Sequence, residues 1–413
     1  MNRKFLKNIA LIGLIAVSVS ACKKENEEII PDENKETTGK EFKYLRVLVS
    51  DELTNKLNII DPFEAKISTF DTKYPLASLY GIAGGRYAAV LYGPQNLAEV
   101  FDTGLQSHTD HVDIIHPGKW AAITSTNLKP THFKTSGEES LIFNDGEGTL
   151  SLGIISDFNT AGAKFKTINA GINPHHGAMA QFDNGTIAVT TAPVGGTANR
   201  VIVIDEQGKR VHESTLEIGA IHGNATDGTN AVFGGFTNSA ATSGGVLVVN
   251  AIGSQKMIPN PEGFGAFRLA SIYYADAAKK FIGYVATKGA YMVDILNNKI
   301  TPIYTGNDAY QCKVDFSGNK LYVLTLDGKL RIYDLALGTL IKEGSVTSPV
   351  ASTDTYKPVL EASARYAYLA VPAGGEVLQI DVTDFSKVVK HKVSSRPVRL
   401  ALSGFESSAG HND

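Results

Sequence analysis

The stretch Val201-Ile202-Val203-Ile204-Asp205 is a short apolar run that ends in aspartate, and similar apolar runs that end in aspartate or asparagine recur along the chain. The related segments are residues 57–61, 98–102, 150–154 (a degenerate copy), 246–250, 290–294, 330–334 and 377–381. Asp61 and Asp381 are 320 residues apart, which gives about 46 residues per copy over seven intervals. A repeat of about 40 to 50 residues, with about four short strands in each unit, is typical of a β-propeller.

The repeat predicts an all-β chain in which residues 44–404 form a single propeller. Eight blades fit the count best, and seven is the fallback if the first or the degenerate copy is not a full blade. The segment Pro397-Val398-Arg399-Leu400 is predicted to be the innermost strand of the blade that begins at Tyr44. Strands from both chain ends would then close the ring and leave few exposed edges. A β-sandwich with chance repeats is the alternative, and the length and regularity disfavour it.

The N-terminal segment has the composition of an export signal. A basic start and a short apolar run over residues 9–19 precede small residues. This run is shorter than the roughly 20 apolar residues that a membrane-spanning helix needs. The order Val19-Ser20-Ala21-Cys22 resembles a bacterial lipobox, which implies that residues 1–21 are a lipoprotein signal peptide and that Cys22 is lipidated. An ordinary secretory signal is the alternative.

Residues 22–43 are expected to form a flexible tether, because 11 of the 19 residues in 23–41 are charged and none is aromatic. The lysine after Cys22 argues against inner-membrane retention, and the following acidic cluster resembles surface-export signals of bacterial lipoproteins. We therefore expect an outer-membrane lipoprotein whose domain faces either the periplasm or the outside. Residues 405–413 are expected to form a disordered tail.

The overall charge and the cysteine content exclude some classes of partner and of covalent structure. The formal net charge is −3 and no basic stripe is present, so nucleic acid is not an expected partner. With Cys22 lipidated, Cys312 is the remaining cysteine, and no intrachain disulfide can form. Cys312 is more typical of a buried, small apolar residue than of a metal ligand.

Three histidines recur in phase with the blade repeat. His132, His176 and His222 occupy the same position at the starts of predicted innermost strands, with spacings of 44 and 46 residues, and Arg268 takes this position in the next repeat. Equivalent positions of successive blades surround the central channel, so we expect the three imidazoles to converge at one mouth. Nitrogen ligands at about 2.0–2.1 Å suit zinc, and the sequence therefore predicts a zinc site.

A carboxylate is expected to complete this site. The second strand of a blade returns to the face where the first strand began, so the turn after it lies beside the start of the first strand. In the blade of His132 that turn is Asn144-Asp145-Gly146-Glu147, which makes Asp145 the candidate ligand. Gly177 and Gly223 follow two of the histidines and would let neighbouring backbones approach closely.

A second group, His108, Asp110 and His111, lies in an insertion between Asp102 and Pro130. Two imidazoles and a carboxylate within four residues would take up or hand on a metal ion if the loop is mobile. Strict blade geometry begins this loop on the face opposite the predicted zinc site, so the sequence leaves its reach to that site open. A polar surface loop is the alternative. The isolated histidines at positions 212, 391 and 411 are interpreted as surface residues.

The sequence also leaves other functions open. Arg268 and Arg399 would suit an anionic ligand in the channel. A three-histidine zinc with an open position can hydrolyse substrates, but the sequence offers no clear base and no Gly-x-Ser-x-Gly motif. We therefore expect a protein that is not an enzyme. A scaffold that binds a protein or glycan on its faces is a further alternative.

The motifs Pro-His-His-Gly-Ala at 174–178, Ile-His-Gly-Asn-Ala at 221–225 and His-x-Asp-His at 108–111 resemble those of AztD-type periplasmic zinc metallochaperones. The resemblance implies a propeller that carries zinc and passes it to the solute-binding protein of an ABC importer. It also implies that the three in-phase histidines and Asp145 hold the ion and that the 108–111 loop assists transfer. Two departures are the expected lipid anchor and residues 218–220, which stand where the family has a cysteine.

Overall fold

The computed structural model describes residues 43–406, whose strands run from Tyr44 to Phe405. The expected signal peptide, the lipidated Cys22, nearly all of the tether and most of the predicted C-terminal tail lie outside the described residues. Within residues 43–406, no helix has the length and apolar character that crossing a membrane requires. Two short 3-10 helices occur in this part of the chain, at Gly93–Gln95 and Ile155–Asp157.

Eight antiparallel sheets of four strands each form the blades of a propeller. The strands are β1 (Tyr44–Asp51), β2 (Lys56–Asp61), β3 (Lys66–Asp71), β4 (Ser78–Gly81), β5 (Tyr87–Tyr92), β6 (Leu97–Asp102), β7 (Leu105–Ser107), β8 (Val112–Ile114), β9 (Lys119–Ser125), β10 (Pro130–Ser136), β11 (Glu139–Asn144), β12 (Thr149–Ile154), β13 (Lys166–Asn169), β14 (Met179–Gln181), β15 (Ile187–Thr191), β16 (Arg200–Ile204), β17 (Arg210–His212), β18 (Asn224–Thr226), β19 (Asn230–Phe236), β20 (Gly244–Asn250), β21 (Gln255–Pro259), β22 (Ser271–Ala275), β23 (Lys280–Val285), β24 (Gly289–Asp294), β25 (Lys299–Thr305), β26 (Ala309–Val314), β27 (Lys320–Thr325), β28 (Lys329–Asp334), β29 (Thr339–Ser345), β30 (Val359–Ala362), β31 (Tyr366–Val371), β32 (Glu376–Asp381), β33 (Val388–Lys392) and β34 (Pro397–Phe405).

The blades follow one another along the chain. Blade 1 contains β34, β1, β2 and β3 from the inside outward, and blade 2 contains β4, β5, β6 and β9. Blades 3 to 8 take the remaining strands in consecutive groups of four, from β10 onward. The first strands of neighbouring blades contact one another and surround the channel. Strands β7 and β8 form a separate hairpin inserted in blade 2.

The ring is closed by strands from both ends of the chain, as the sequence predicted. Strand β34 pairs with β1 from Tyr44 opposite Phe405 to Asp51 opposite Pro397. The count of eight blades is also confirmed, because the degenerate copy at 150–154 is strand β12 of a complete blade 3. Because the two ends pair, blade 1 has an innermost strand like the other blades.

The recurring apolar run is the third strand of each blade, and its sequence follows from its surroundings. Strand β16 is packed on both faces by neighbouring blades, so Val201, Ile202, Val203 and Ile204 are all buried. Such strands read as continuous apolar runs instead of alternating ones. The aspartate that follows ends the strand, because a carboxylate oxygen of Asp205 accepts backbone N–H groups in the next turn.

The hydrophobic core lies between adjacent blades and repeats around the ring. Between blades 4 and 5, for example, Phe182 and Val203 pack with Phe233 and Leu247, and all four are almost completely buried. Burying a side chain of this size stabilises the fold by about 1.5–3 kcal/mol. Cys312 on β26 is 2% exposed in a similar apolar cluster, and burial raises the pKa of its thiol. These surroundings agree with its interpretation as a small apolar residue.

The prediction that His391 lies on the surface is wrong. His391 is 3% exposed, and its ring nitrogen Nε2 lies 2.8 Å from Oε1 of Gln379 on the neighbouring strand. It belongs to β33, the outermost strand of blade 8, where the neighbouring residues Val388 and Val389 are exposed. A histidine in such a polar outer strand looks solvated in sequence, and only the orientation of the strand shows which side chain turns inward.

Candidate metal centre

His132, His176 and His222 come together at one mouth of the channel. Their ring centroids lie 4.7 Å apart for His132 and His176, 5.4 Å for His176 and His222, and 6.1 Å for His132 and His222. His132 is on β10, whereas His176 and His222 precede β14 and β18, the first strands of blades 4 and 5. The repeat thus delivers one imidazole from each of three consecutive blades.

Two glycines fix the path of the backbone beside these histidines. A Cβ atom on Gly177 would lie 2.2 Å from Cζ of Phe143, so a side chain there has no room. Gly223 has a φ of +73°, and its Cβ would lie 2.4 Å from the carbonyl oxygen of Ala270. Only glycine satisfies the positive φ and the close approach without strain. The His-Gly pairs in the sequence therefore reflect positions at which the backbone of one blade touches the next.

His176 and His222 use the same ring nitrogen, Nδ1, for a hydrogen bond to an oxygen. Nδ1 of His176 lies 2.7 Å from Oδ2 of Asp145, and Nδ1 of His222 lies 2.8 Å from the carbonyl oxygen of Ala270. Both oxygens accept, so Nδ1 donates in each ring, and in the neutral form of the ring this leaves the lone pair on Nε2. Two of the three imidazoles are therefore held in the tautomer that binds a metal through Nε2.

Asp145 lies behind His176, and its side chain is 2% exposed. Its second carboxylate oxygen lies 3.5 Å from the backbone nitrogen of Gly177. The sequence predicted that Asp145 is a direct metal ligand. Its contact with Nδ1 of His176 instead places Asp145 on the side of that ring away from Nε2. Carboxylates in this position orient a histidine and increase its basicity as a metal ligand. The geometry therefore favours an orienting role for Asp145.

The distance between His132 and His176 suits a shared ion. Their Nε2 atoms lie 3.3 Å apart. Two nitrogen ligands at about 2.0–2.1 Å from a tetrahedral ion are separated by about 3.3 Å. Burial, followed by the positive charge that His176 can carry, lowers the pKa of His132 to about 4. His132 is therefore neutral at pH 7, which is the form that coordinates a metal.

A second group lies on the β7–β8 hairpin. The rings of His108 and His111 stack with their centroids 4.8 Å apart, and Nε2 of each lies 3.5 Å from Oδ2 of Asp113. Asp110 instead lies 2.6 Å from Nδ1 of His111. Among residues 43–406, the potential ligand atoms of His108, His111 and Asp113 all lie within 4.8 Å of one another. Those of the three channel histidines are spaced more widely.

The carboxylate that joins the two hairpin histidines is therefore Asp113, which the sequence reasoning did not select. Asp110, which it did select, stands in the same relation to His111 as Asp145 does to His176. Residues 111 and 113 are two apart near the start of an extended segment, and side chains at that spacing point to the same face of a strand. This spacing was the signal that could have identified Asp113.

The two groups lie at opposite faces of the propeller. Strand β6 begins next to Asn96, whose side-chain oxygen accepts a hydrogen bond from the backbone of Lys129 at 2.9 Å, beside the start of β10. It ends at Asp102, where the hairpin insertion begins. Six residues of extended strand span about 17–20 Å. The hairpin therefore leaves the propeller at the face opposite the three channel histidines.

Two cations near the channel histidines bind backbone carbonyls. Arg268 donates to the carbonyl of Ala220 at 2.7 Å and lies over the ring of Phe236, so it supports the segment that precedes His222. Lys134 donates to the carbonyl of Asn224 at 2.6 Å. Burial lowers the pKa of Lys134 to about 8, which leaves its ammonium largely charged at pH 7. The sequence reasoning missed Lys134, although its spacing of two from His132 places both on one strand face.

Comparison with known proteins extends the resemblance seen in the motifs. No family model matches the chain. The zinc chaperone AztD of Citrobacter koseri is 24% identical over 373 residues, which cover 87% of this chain and 86% of that protein. A crystal structure of Citrobacter koseri AztD superposes with a TM-score of 0.76 at 21% identity, over 87% of this chain and 98% of that chain.

More distant structures share the architecture at lower similarity. The dihydro-heme d1 dehydrogenase NirN superposes with a TM-score of 0.59 at 13% identity, over 90% of this chain and 76% of that chain. At an identity this low, the superposition shows a similar fold and nothing about function. The resemblance to AztD-type proteins, first carried by three short motifs, is confirmed over most of the chain, which is an eight-bladed propeller similar to the zinc chaperone AztD.

Proposed function

We propose that this protein is a zinc chaperone that holds the ion at the channel mouth through Nε2 of His132, His176 and His222. The observation that carries the proposal is the convergence of these imidazoles, with two Nε2 atoms 3.3 Å apart and two tautomers fixed by hydrogen bonds. The similarity to a zinc chaperone over 87% of the chain supports the same assignment and favours a role that is not enzymatic.

The ligand chemistry favours zinc over calcium and magnesium. Calcium and magnesium prefer oxygen ligands, whereas zinc is commonly bound by imidazole nitrogen. The three histidines converge without a carboxylate between them, since Asp145 contacts the outer nitrogen of His176. In this proposal Asp145 orients His176 and strengthens it as a ligand.

Three protein ligands leave one position of a tetrahedral ion open. An acceptor protein can place its own ligand in that position before the histidines release the ion, so zinc need not pass through bulk water. The resemblance to AztD-type chaperones favours the solute-binding protein of a zinc ABC importer as the acceptor. We further propose that a lipid at Cys22 anchors the chaperone to the outer membrane, with the domain in the periplasm or at the cell surface.

The hairpin is proposed as a separate exchange site. His108, His111 and Asp113 supply two nitrogens and a carboxylate oxygen, and Asp110 orients His111. Because the hairpin leaves the opposite face of the propeller, it serves metal exchange with another molecule and not direct transfer to the channel site. Its exposed side chains suit an ion that is held weakly and exchanged quickly.

Metal analysis of the purified mature protein tests the proposal. The experiment uses a His108→Ala/His111→Ala background, so that the hairpin does not contribute metal. In this background the chain should carry about one zinc, and adding His176→Ala and His222→Ala should remove it, because one imidazole cannot hold the ion alone. His212→Ala is the matched control and should retain the zinc. Full retention of zinc after loss of His176 and His222 would contradict the proposal.

A further inference from the structure

Lys134 lies directly below the channel histidines. It follows His132 by two residues on β10, so both side chains are on the same face of that strand. Its ammonium donates a hydrogen bond of 2.6 Å to the carbonyl of Asn224, which itself follows His222 by two residues. The lysine side chain therefore reaches from blade 3 to blade 5, past blade 4, at the level just beneath the three imidazoles.

The contact continues into the middle blade. The side-chain amide of Asn224 donates to the carbonyl of Met179, the first residue of β14 in blade 4. Lys134 and Asn224 thus connect the inner strands of all three blades that carry a histidine. This bracing fixes the spacing of the strands from which the imidazoles project.

The other side of Lys134 faces an open part of the channel. A cavity of about 1270 Å³ extends from there, and none of the three histidines belongs to its lining. Its charged groups are four cations and two carboxylates, namely Lys134, Lys279, Lys313, Arg399, Asp276 and Glu361. Lys313 pairs with Glu361. Among residues 43–406, the hydrogen-bond partner of Lys134 is a backbone carbonyl, and no carboxylate lies within ion-pair distance of its ammonium.

We propose that Lys134 places a positive charge beneath the zinc site. This charge confines the ion to one mouth of the channel and weakens its binding so that it can be released. This inference rests on the proposed function. A positive charge beneath the site repels a divalent cation that enters or leaves through the channel interior. It also opposes the charge of the bound ion, which the three neutral imidazoles do not offset and which Asp145 faces only from the far side of the His176 ring. Lys134 is thus a positioning residue that lowers zinc affinity.

Charge-changing variants separate this role from simple bracing. Lys134→Gln removes the charge and keeps an N–H donor on a side chain one bond shorter, Lys134→Met removes the charge and the donor, and Lys134→Arg keeps both. Lys256→Met is the matched control, because Lys256 also donates to a carbonyl of the next blade, that of Ile295, but lies on the outer strand β21. Zinc affinity is measured by competition with a chromophoric chelator in the His108→Ala/His111→Ala background. The unfolding free energy of each variant is measured in parallel without metal.

Lys134→Gln should bind zinc roughly tenfold more tightly than the parent or better, and release it more slowly to the chelator, because like charges repel strongly at short range. Lys134→Met should also bind more tightly, and Lys134→Arg and Lys256→Met should match the parent. A pure bracing role predicts the opposite sign, namely weaker binding in Lys134→Gln and Lys134→Met, and that result or unchanged affinity would overturn the inference. A parent chain that binds no zinc would overturn the proposed function itself, which the first measurement of the series reveals.

Discussion

The two histidine groups differ in what holds their rings in place. In the channel group, His176 is fixed by the buried Asp145 and His222 by the main chain of blade 6, on backbone segments that lead into the first strands of blades. In the hairpin group, His108 and His111 lie on a two-stranded sheet and contact exposed carboxylates. Leu105 and Val112 of this hairpin are buried, but the imidazoles and carboxylates at its tip are largely exposed. On the proposed function, the group whose rings are held by buried partners stores the ion, and the exposed group exchanges it.

The largest effect should come from the group that orients the channel histidine. Asp145→Asn keeps the shape of the side chain but removes the charge that favours the Nδ1–H tautomer of His176. Zinc affinity of the channel site should fall by about 10–100-fold, as is usual when an outer hydrogen-bond partner of a ligand is lost. Chelator competition measures it. The matched change at the hairpin, Asp110→Asn, should leave channel affinity within about twofold, and an equal loss in both variants would remove the distinction between the sites.

A smaller effect is expected from the hairpin itself. His108→Ala/His111→Ala should remove a second zinc that binds at least about tenfold more weakly than the first, because ordering exposed side chains opposes binding. The release rate of the channel ion should not change, since the hairpin leaves the opposite face. Stopped-flow transfer to a chelator measures both phases. A slower release of the tightly bound ion in this variant would show that the two groups communicate.

Acidification should separate the two groups in the metal-free protein. Burial and then the charge of His176 lower the pKa of His132 to about 4, whereas the hydrogen bond to Asp110 raises the pKa of His111. His111 should therefore take up its proton at a higher pH than His132. NMR titration of the ring signals measures both values directly, and a His132 that titrates together with His111 would contradict the difference in environment.

The lowered pKa of His132 should also change the stability of the fold, and this is the smallest of the predicted effects. An unfolded chain protonates histidine near pH 6.5, so the unfolded state binds this proton before folded His132 does. The contribution of neutral His132 to stability is present above about pH 6.5 and is lost as the pH falls towards about 4. His132→Asn should weaken the fall in unfolding free energy between pH 7 and pH 5 in urea titrations of the metal-free protein. An unchanged slope would contradict the assignment.

Much of the fold was predictable because the propeller repeats one physical problem. Each third strand is packed on both faces and must end in a tight turn, so apolar runs such as 201–204 recur at intervals of about 46 residues, most of them with a terminal aspartate or asparagine. The ring closure was predictable for the same reason, because a blade that begins at Tyr44 without an inner strand must obtain one from the C-terminal segment. Both inferences need only the order of strands along the chain.

The finer parts of the site were not predictable from that order. The repeat identified His132, His176 and His222 as neighbours, yet the nitrogen that Asp145 contacts depends on the rotation of a side chain. The hydrogen bond from Lys134 to the carbonyl of Asn224 connects blade 3 with blade 5. No spacing in the sequence indicates that the lysine side chain extends across blade 4. His391 was misinterpreted because the inward face of an outer strand is set by its neighbours and not by its own polarity.

Anomalous diffraction at the zinc edge from crystals of the zinc-loaded protein tests the central claim most directly. The account predicts a strong peak at the channel mouth, about 2.0–2.1 Å from Nε2 of His132, His176 and His222, with Asp145 still bonded to Nδ1 of His176. A peak confined to the hairpin, or a channel peak that these imidazoles do not contact, would contradict it.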